Sequence, residues 1–403
     1  MTKTGGGTLT LAGNNLLSGT TRLAEGTIIV SNGVLSGPLS LSNGTTAVAI
    51  GGRGLVGAFY GMVNGPGTGG QPNPNFASLS SIALLFATNN PTMLYDSWGT
   101  GANFDFGGTF PTPYQDNIAV LFIGKFIATN SGTHIFGTAS DDGSMLWIDG
   151  SLLVNNNFYQ GVTTRTGSTN LNAGAHDIII GYYEHNGGQD LKAYITPPGA
   201  TASNLLPNAQ LFSGPGVGTL SGDAGSALVI SNGLLTIMQT SDGIFNGSVS
   251  GPGGIFKTGT NILSLAGANS FSDSLVIASG PVRIDGSLSS CTSIVVQTTG
   301  ILGGTGTVGT VATVQDNGRI NPASPGTIGQ LTIATPNFLS NSYFTVDLNA
   351  TTSDVLAVSG TLAASNALVE VNGIGALANQ FQRRFQRNER KQRKNELENR
   401  FLR

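Results

Sequence analysis

An internal repeat constrains the fold of this chain more than any other feature of its sequence. The segment LTLAGNNLLSG at 9–19 returns as LSLAGANSFSD at 263–273, and a looser copy begins at Ala227. Each unit is typical of a short strand, a Gly or Asn turn and a second strand. Because so small a unit cannot bury its apolar face alone, stacked copies must share one continuous core. The repeat therefore predicts a parallel β-helix.

Composition supports an all-β chain and excludes several classes of protein. Of 403 residues, 60 are Gly and only 10% are charged, against about a quarter in ordinary globular domains. Residues 381–403 carry nine Lys or Arg and three Glu, so the rest of the chain is acidic and has no basic stripe. Nucleic acid is therefore not an expected partner. Cys291 is the only cysteine, so no internal disulfide is possible.

The residue types change between the two repetitive stretches. All three His and both Trp of the chain lie between Arg53 and Ala200. This span contains SDDGSMLWIDG at 140–150 and AGAHDIIIGYYE at 173–184. The Asp-Gly pair that follows LWI and precedes SLLV predicts a tight β-hairpin. A separate globular module is therefore expected here.

These motifs support two resemblances. The repeats, with GILGGTGTV at 300–308, resemble the passenger repeats of bacterial autotransporters, and the central module is similar to the PA14 family throughout its length. Together they imply a right-handed parallel β-helix with an inserted antiparallel PA14 β-sandwich or barrel. The expected domains are the first rungs at 1–52, the PA14 module at 53–212, the remaining rungs at 213–375 and a disordered, helical or non-native basic tail at 376–403.

The best candidate site is the pair Asp141-Asp142, since adjacent carboxylates repel each other unless a hard cation such as Ca²⁺ compensates them. In PA14 lectins the matching pair is joined by a cis peptide and holds Ca²⁺, which ligates sugar hydroxyls. The resemblance adds Glu184, where the lectins place Asn, with Asn186 as the fallback and a carbonyl oxygen of Gly188. A plain turn in which Asp caps backbone N–H groups is the alternative.

Other side chains near this pair are candidates for sugar contacts. Trp147 alternates with Met145 and Asp149 along one strand, and we expect it to be buried in a core. Catalysis by His185 is not expected, because a single His in a loop is usually a surface residue. The expected carbohydrate-binding set is Asp141, Asp142, Trp98, Tyr159, His185 and Gln189.

The repetitive stretches favour a scaffold and not an enzyme. Their acidic residues are scattered about one per rung, and they contain no His to pair with a carboxylate or with Cys291. The resemblance implies a surface adhesin fragment that binds glycans with Ca²⁺. The alternatives are an accessory region of a carbohydrate-active enzyme and a purely structural segment.

The expected location is the outer surface of a bacterium, and it rests on the resemblance. No apolar run reaches the length of a membrane helix, and the first residues lack the charged-then-apolar pattern of a secretory signal. The chain is therefore expected to be a fragment without its export signal and membrane anchor.

Overall fold

The computed structural model describes residues 1–374 except 16, 18, 36, 62–92, 97–102, 108–117 and 186. Three sequence predictions lie outside these residues: the sugar contact of Trp98, the metal ligand Asn186 and the nature of the tail at 376–403. The regular secondary structure of the described residues consists of strands, apart from one short 3-10 helix at Asn208–Gln210. The prediction of an all-β fold is confirmed.

The first part of the β-helix precedes the module. Its strands stack in parallel, and Thr8 pairs with Thr27, which in turn pairs with Thr46. The strands are β1 (Thr2–Lys3), β2 (Thr8–Asn15), β3 (Thr21–Leu23), β4 (Thr27–Leu35), β5 (Leu39–Leu41) and β6 (Thr46–Ile50).

The module folds as two antiparallel sheets of eight and five strands, as expected for a sandwich. The predicted hairpin turns at Asp149 and Gly150, which both have positive φ. The strands are β7 (Gly52–Arg53), β8 (Val56–Gly61), β9 (Met93–Asp96), β10 (Asp105–Gly107), β11 (Ile118–Ala128), β12 (Gly132–Asp141), β13 (Gly143–Ile148), β14 (Ser151–Asn156), β15 (Thr163–Leu171), β16 (Gly174–Glu184), β17 (Asp190–Thr196), β18 (Asn204–Leu205) and β19 (Leu211–Ser213).

The β-helix resumes after the module. Its strands are β20 (Gly216–Val217), β21 (Leu220–Gly222), β22 (Ala227–Ile230), β23 (Leu234–Met238), β24 (Gly243–Phe245), β25 (Ser248–Ser250), β26 (Gly254–Thr258), β27 (Leu263–Leu265), β28 (Ala268–Asn269), β29 (Leu275–Ile284), β30 (Ser287–Leu288), β31 (Ile294–Gly304), β32 (Thr307–Val314), β33 (Arg319–Pro322), β34 (Gln330–Phe338), β35 (Tyr343–Leu348), β36 (Val355–Val358), β37 (Ala363–Ala364) and β38 (Leu368–Gly373).

Parallel pairing continues across the insertion. Thr46 of β6 pairs directly with Ala227 of β22, and Leu39 of β5 pairs with Leu220 of β21. The module therefore leaves the β-helix between two neighbouring rungs without interrupting the ladder. One turn takes 20 residues where Leu234 pairs with Gly254, and 25 where Tyr343 pairs with Leu368.

Glycines at one corner of the β-helix allow neighbouring rungs to approach closely. A Cβ atom built on Gly267 would lie 1.9 Å from the carbonyl oxygen of Gly247, and one built on Gly286 would lie 2.1 Å from that of Gly267. Gly306 repeats the contact on Gly286, at 1.9 Å. Other glycines of the β-helix, such as Gly304, have positive φ angles. In this column glycines are needed because no side chain fits between the rungs.

The larger sheet of the module has two buried faces. On β16, Ile178, Ile180 and Tyr182 point into the module's own core. The alternating residues Ile179 and Tyr183 point the other way and pack against the β-helix. We call this second contact the docking face; its residues are Val34, Val56, Ala58, Ala119, Leu121, Ile123, Met145, Trp147, Ile179, Tyr183, Leu234, Met238, Phe256, Val276 and Ala278.

Candidate metal centre

The candidate site lies where the chain crosses from one sheet of the module to the other. Strand β12 belongs to the smaller sheet and ends at Asp141, whereas β13 belongs to the larger sheet and begins at Gly143. Asp142 is the crossing residue. Glu184 is the last residue of β16, and its neighbour Tyr183 pairs with Gly143. The strand ends therefore bring Asp142 and Glu184 to the same rim.

Three carboxylates converge at this rim. One oxygen from each of Asp141, Asp142 and Glu184 lies within 4.8 Å of the other two, and no other such group of acidic, His or Cys side chains occurs among the described residues. The backbone N–H of Asp142 donates to Oε2 of Glu184 at 3.1 Å. The peptide bond between the two aspartates is cis. The predictions of a cis peptide and of convergence with Glu184 are confirmed.

Backbone and side-chain donors hold the carboxylates in place. The hydroxyl of Tyr182 donates to the carbonyl oxygen of Asp141 at 2.6 Å and lies 3.3 Å from Oε2 of Glu184. The backbone N–H groups of Gln160 and His185 donate to Oδ1 and Oδ2 of Asp142 at 3.2 Å and 3.0 Å. Both oxygens of Asp142 are thereby oriented by the main chain.

The electrostatics of the site disfavour three full negative charges. Burial, followed by the charges of Asp142 and Asp141, raises the pKa of Glu184 to about 8. Burial and the charges of Asp142 and Asp190 also raise the pKa of Asp141. Burial raises the pKa of Asp142, although the N–H groups of His185 and Gln160 partly offset it. A cation at this point would relieve the repulsion among these groups.

The donor set fits a hard cation. Glu184 is fully buried, and its Oε1 atom has no hydrogen-bond partner among the residues that the structure describes. A buried oxygen without a partner is costly, and a metal ion would satisfy it. The converging ligands are all carboxylate oxygens, which calcium prefers to nitrogen and sulfur.

The other predicted site residues that the structure describes lie on loops next to this centre. A Cβ atom built on Gly188 would lie 3.2 Å from Oδ2 of Asp141, so the loop after β16 passes beside the carboxylates. Tyr159 is 58% exposed and its ring meets the His185 ring edge-on, with centroids 5.8 Å apart. Gln189 is half-buried on the same loop as Gly188.

Sequence reasoning missed two supporting residues and the exact place of a third. Tyr182 was visible in principle, because alternation along GYYE puts it on the same side as Glu184. No sequence pattern around Gln160 could have identified it, because its loop contacts Asp142 only in the folded chain. Trp147 is buried as expected, but in the docking face and not in the module's own core.

Comparisons with known proteins agree with both halves of this architecture. The PA14 domain family matches residues 94–208, and the passenger-associated-transport-repeat family matches residues 1–30 and 255–284. The chain therefore contains a PA14 domain carried by autotransporter-type passenger repeats.

Two curated proteins are similar to parts of the chain. The anti-sigma-I factor RsgI3 of Acetivibrio thermocellus is 28% identical over 154 residues, which is 38% of this chain and 22% of that protein. The adhesin BmaC autotransporter of Brucella suis is 34% identical over 110 residues, which is 27% of this chain and 3% of that protein. The chain thus spans less than a quarter of either relative.

Solved structures are also similar to part of the chain. A PA14 sugar-binding domain from an RTX adhesin is 21% identical with a TM-score of 0.32, covering 40% of this chain and 97% of the domain. The epithelial adhesin 9 A domain of Candida glabrata, solved with Galb1-3GlcNAc, is 11% identical with a TM-score of 0.33, covering 40% of this chain and 89% of that one. Within the described part of the chain, no helix is long and apolar enough to cross a membrane.

Proposed function

We propose that this chain is a passenger segment of a bacterial surface adhesin, in which the β-helix presents a PA14 module that binds glycans through calcium. Asp141, Asp142 and Glu184 are the carboxylate ligands in this proposal. The supporting observations are their convergence at one rim and the buried Oε1 atom of Glu184, which has no hydrogen-bond partner among the described residues. Asn186 and the carbonyl oxygen of Gly188 are the further proposed ligands.

Calcium bound here would supply coordination positions for sugar hydroxyls. Calcium takes six to eight oxygens, more than the three carboxylates provide as single ligands. Sugar contacts would come from the same two aspartates and from Trp98, Tyr159, His185 and Gln189. Affinity for one sugar is expected in the millimolar range, about −4 kcal/mol, and many copies on one surface would strengthen attachment through avidity.

A structural role for the aspartate pair is the competing function, and one observation favours it. Both carboxylate oxygens of Asp142 accept backbone N–H groups, from Gln160 and His185. Such bonds are what a capped turn requires. These bonds do not account for Oε1 of Glu184, which has no hydrogen-bond partner within the described part of the chain, and calcium is therefore the better account.

Titration calorimetry of the full chain with CaCl₂ tests the proposal. We expect one site per chain with a dissociation constant between about 10⁻⁴ and 10⁻³ M, as in extracellular calcium modules. A glycan array in calcium, repeated with a chelator, should show binding that the chelator abolishes. If the chain takes up no calcium at millimolar concentration, the calcium proposal is wrong and the structural role of the aspartate pair replaces it. Calcium uptake without glycan binding would overturn the sugar part alone.

A further inference from the structure

The β-helix does more than carry the module, because it covers the back of the sheet that builds the candidate metal centre. Trp147 of β13 and Tyr183 of β16 are buried in the docking face, 1% and 0% exposed. They share one buried cluster with outward-facing apolar residues of the β-helix, among them Met238 and Phe256. The neighbours of Phe256, such as Ile255, point into the β-helix core instead.

An ion pair extends this contact. Nζ of Lys125, on β11, lies 2.6 Å from Oδ1 of Asp177 in the module and 2.9 Å from Oδ1 of Asp273 in the β-helix. The Lys125 side chain is 9% exposed. A buried ammonium group needs carboxylate partners. Lys125 therefore bridges the module and the β-helix at a defined position.

Residues of the docking face are adjacent in sequence to residues of the metal centre. Tyr183, whose ring is in the docking face, immediately precedes Glu184 on β16. Its pairing partner Gly143 immediately follows Asp142. Glu184 and Asp142 are joined by the hydrogen bond from the Asp142 N–H. The strand ends that carry two of the three carboxylates are thus fixed on their reverse side by the β-helix.

We propose that the β-helix is a supporting part of the calcium site, so that undocking the module lowers its affinity for calcium. This inference rests on the proposed function. Calcium affinity depends on the rigidity of the ligand cage, and loss of outer supporting contacts typically weakens metal binding 10- to 100-fold. Separation of the module from the β-helix would then weaken the binding of calcium and of sugar together.

Substitutions on the β-helix test the proposal without touching the module. Phe256→Asp would bury an unpaired carboxylate in the docked state, whereas the undocked β-helix leaves position 256 in water. We expect hydrogen exchange at 143–148 to accelerate and calcium affinity to fall at least about tenfold. Met238→Ala and Asp273→Asn are milder variants that can be used if Phe256→Asp does not fold. They should give a smaller acceleration of exchange and a smaller fall in calcium affinity. Ile244→Asp is the matched control, because Ile244 is 56% exposed on the β-helix outside the docking face.

The outcomes separate this inference from the proposed function. Calcium affinity within twofold of wild type in a variant whose 143–148 amides exchange faster would overturn the inference alone. So would unchanged exchange in all three docking variants, because the docking face would not then hold the module. An equal loss of affinity in Ile244→Asp would also overturn it. Wild-type protein that takes up no calcium would remove the proposed function, and this inference with it.

Discussion

The β-helix and the module are both built from strands with alternating apolar residues, yet they use their buried charges differently. In the β-helix, Lys257 donates to the carbonyl oxygens of Gly259 and Ser279, and Asp354 accepts the N–H groups of Gly329 and Asp347. In the module, Asp142 and Glu184 are turned toward each other. Asp142 also accepts main-chain N–H groups, so the difference lies in the convergence of three carboxyl groups on one point of the module, which accords with a ligand.

The sharpest test of this comparison removes one carboxylate from the module. Asp141→Ala should lower calcium affinity by about 100-fold or more, because it removes one of the three proposed carboxylate ligands. Folding stability should be unchanged or higher, because repulsion with Asp142 and Glu184 is relieved. Calorimetry and thermal unfolding measure the two effects.

Asp190→Ala is the matched control, since Asp190 lies opposite Asp141 on the same rim and pairs with Lys192. It should retain calcium binding within a few-fold of wild type. Equal losses in the two variants would mean that the rim attracts cations by charge alone, without a specific site.

The next test addresses the scaffold. Gly286→Ala should destabilise the chain by about 1–3 kcal/mol, since the added methyl group would meet the backbone carbonyl of Gly267. Gly7→Ala is the control, because nothing lies within 4 Å of a Cβ atom there. Urea unfolding measures the difference. Equal midpoints for the two variants would show that the rungs separate at little cost.

A third test uses pH. Burial lowers the pKa of Lys257 to about 7, from 10.5 in an ordinary lysine. The unfolded chain therefore binds more protons above pH 7, and this group adds stability as pH rises from about 7 to 10.5. Between pH 7 and pH 9 the gain should be about 2 kcal/mol in wild type relative to Lys257→Met.

Other groups also titrate in this window, so only the difference between wild type and Lys257→Met reports on Lys257. Urea unfolding of both proteins at several pH values gives that difference. A difference that does not change with pH would mean that Lys257 stays charged inside the β-helix.

The smallest expected effect concerns the sugar itself. Tyr159→Ala should weaken glycan binding about three- to fivefold, roughly 1 kcal/mol, while calcium affinity stays the same. Leu152→Ala, an exposed apolar residue elsewhere in the module, is the control. Glycan titration in saturating calcium makes the comparison. No difference between these variants would exclude Tyr159 from the sugar contacts.

The sequence predicts the fold well because the fold is repetitive. The match of 9–19 with 263–273 predicts the strands, the turns and their stacking at once. The PA14 motifs predicted that Asp141, Asp142 and Glu184 belong to one site, and the structure brings them together. The docking face could not be predicted from local patterns. Trp147 and Tyr183 each lie in a strand whose pattern indicates only that they are buried. Whether they are buried in the module's own core or in an interface depends on residues distant in sequence, such as Phe256.

Insertion of the module between neighbouring rungs has an evolutionary consequence. Because Thr46 pairs directly with Ala227, recombination that removes the intervening codons would leave a continuous ladder. The same event would expose Leu234, Met238 and Phe256 to solvent, because they are buried against the module. A β-helix without the module would therefore carry an exposed apolar patch unless polar residues replaced these three.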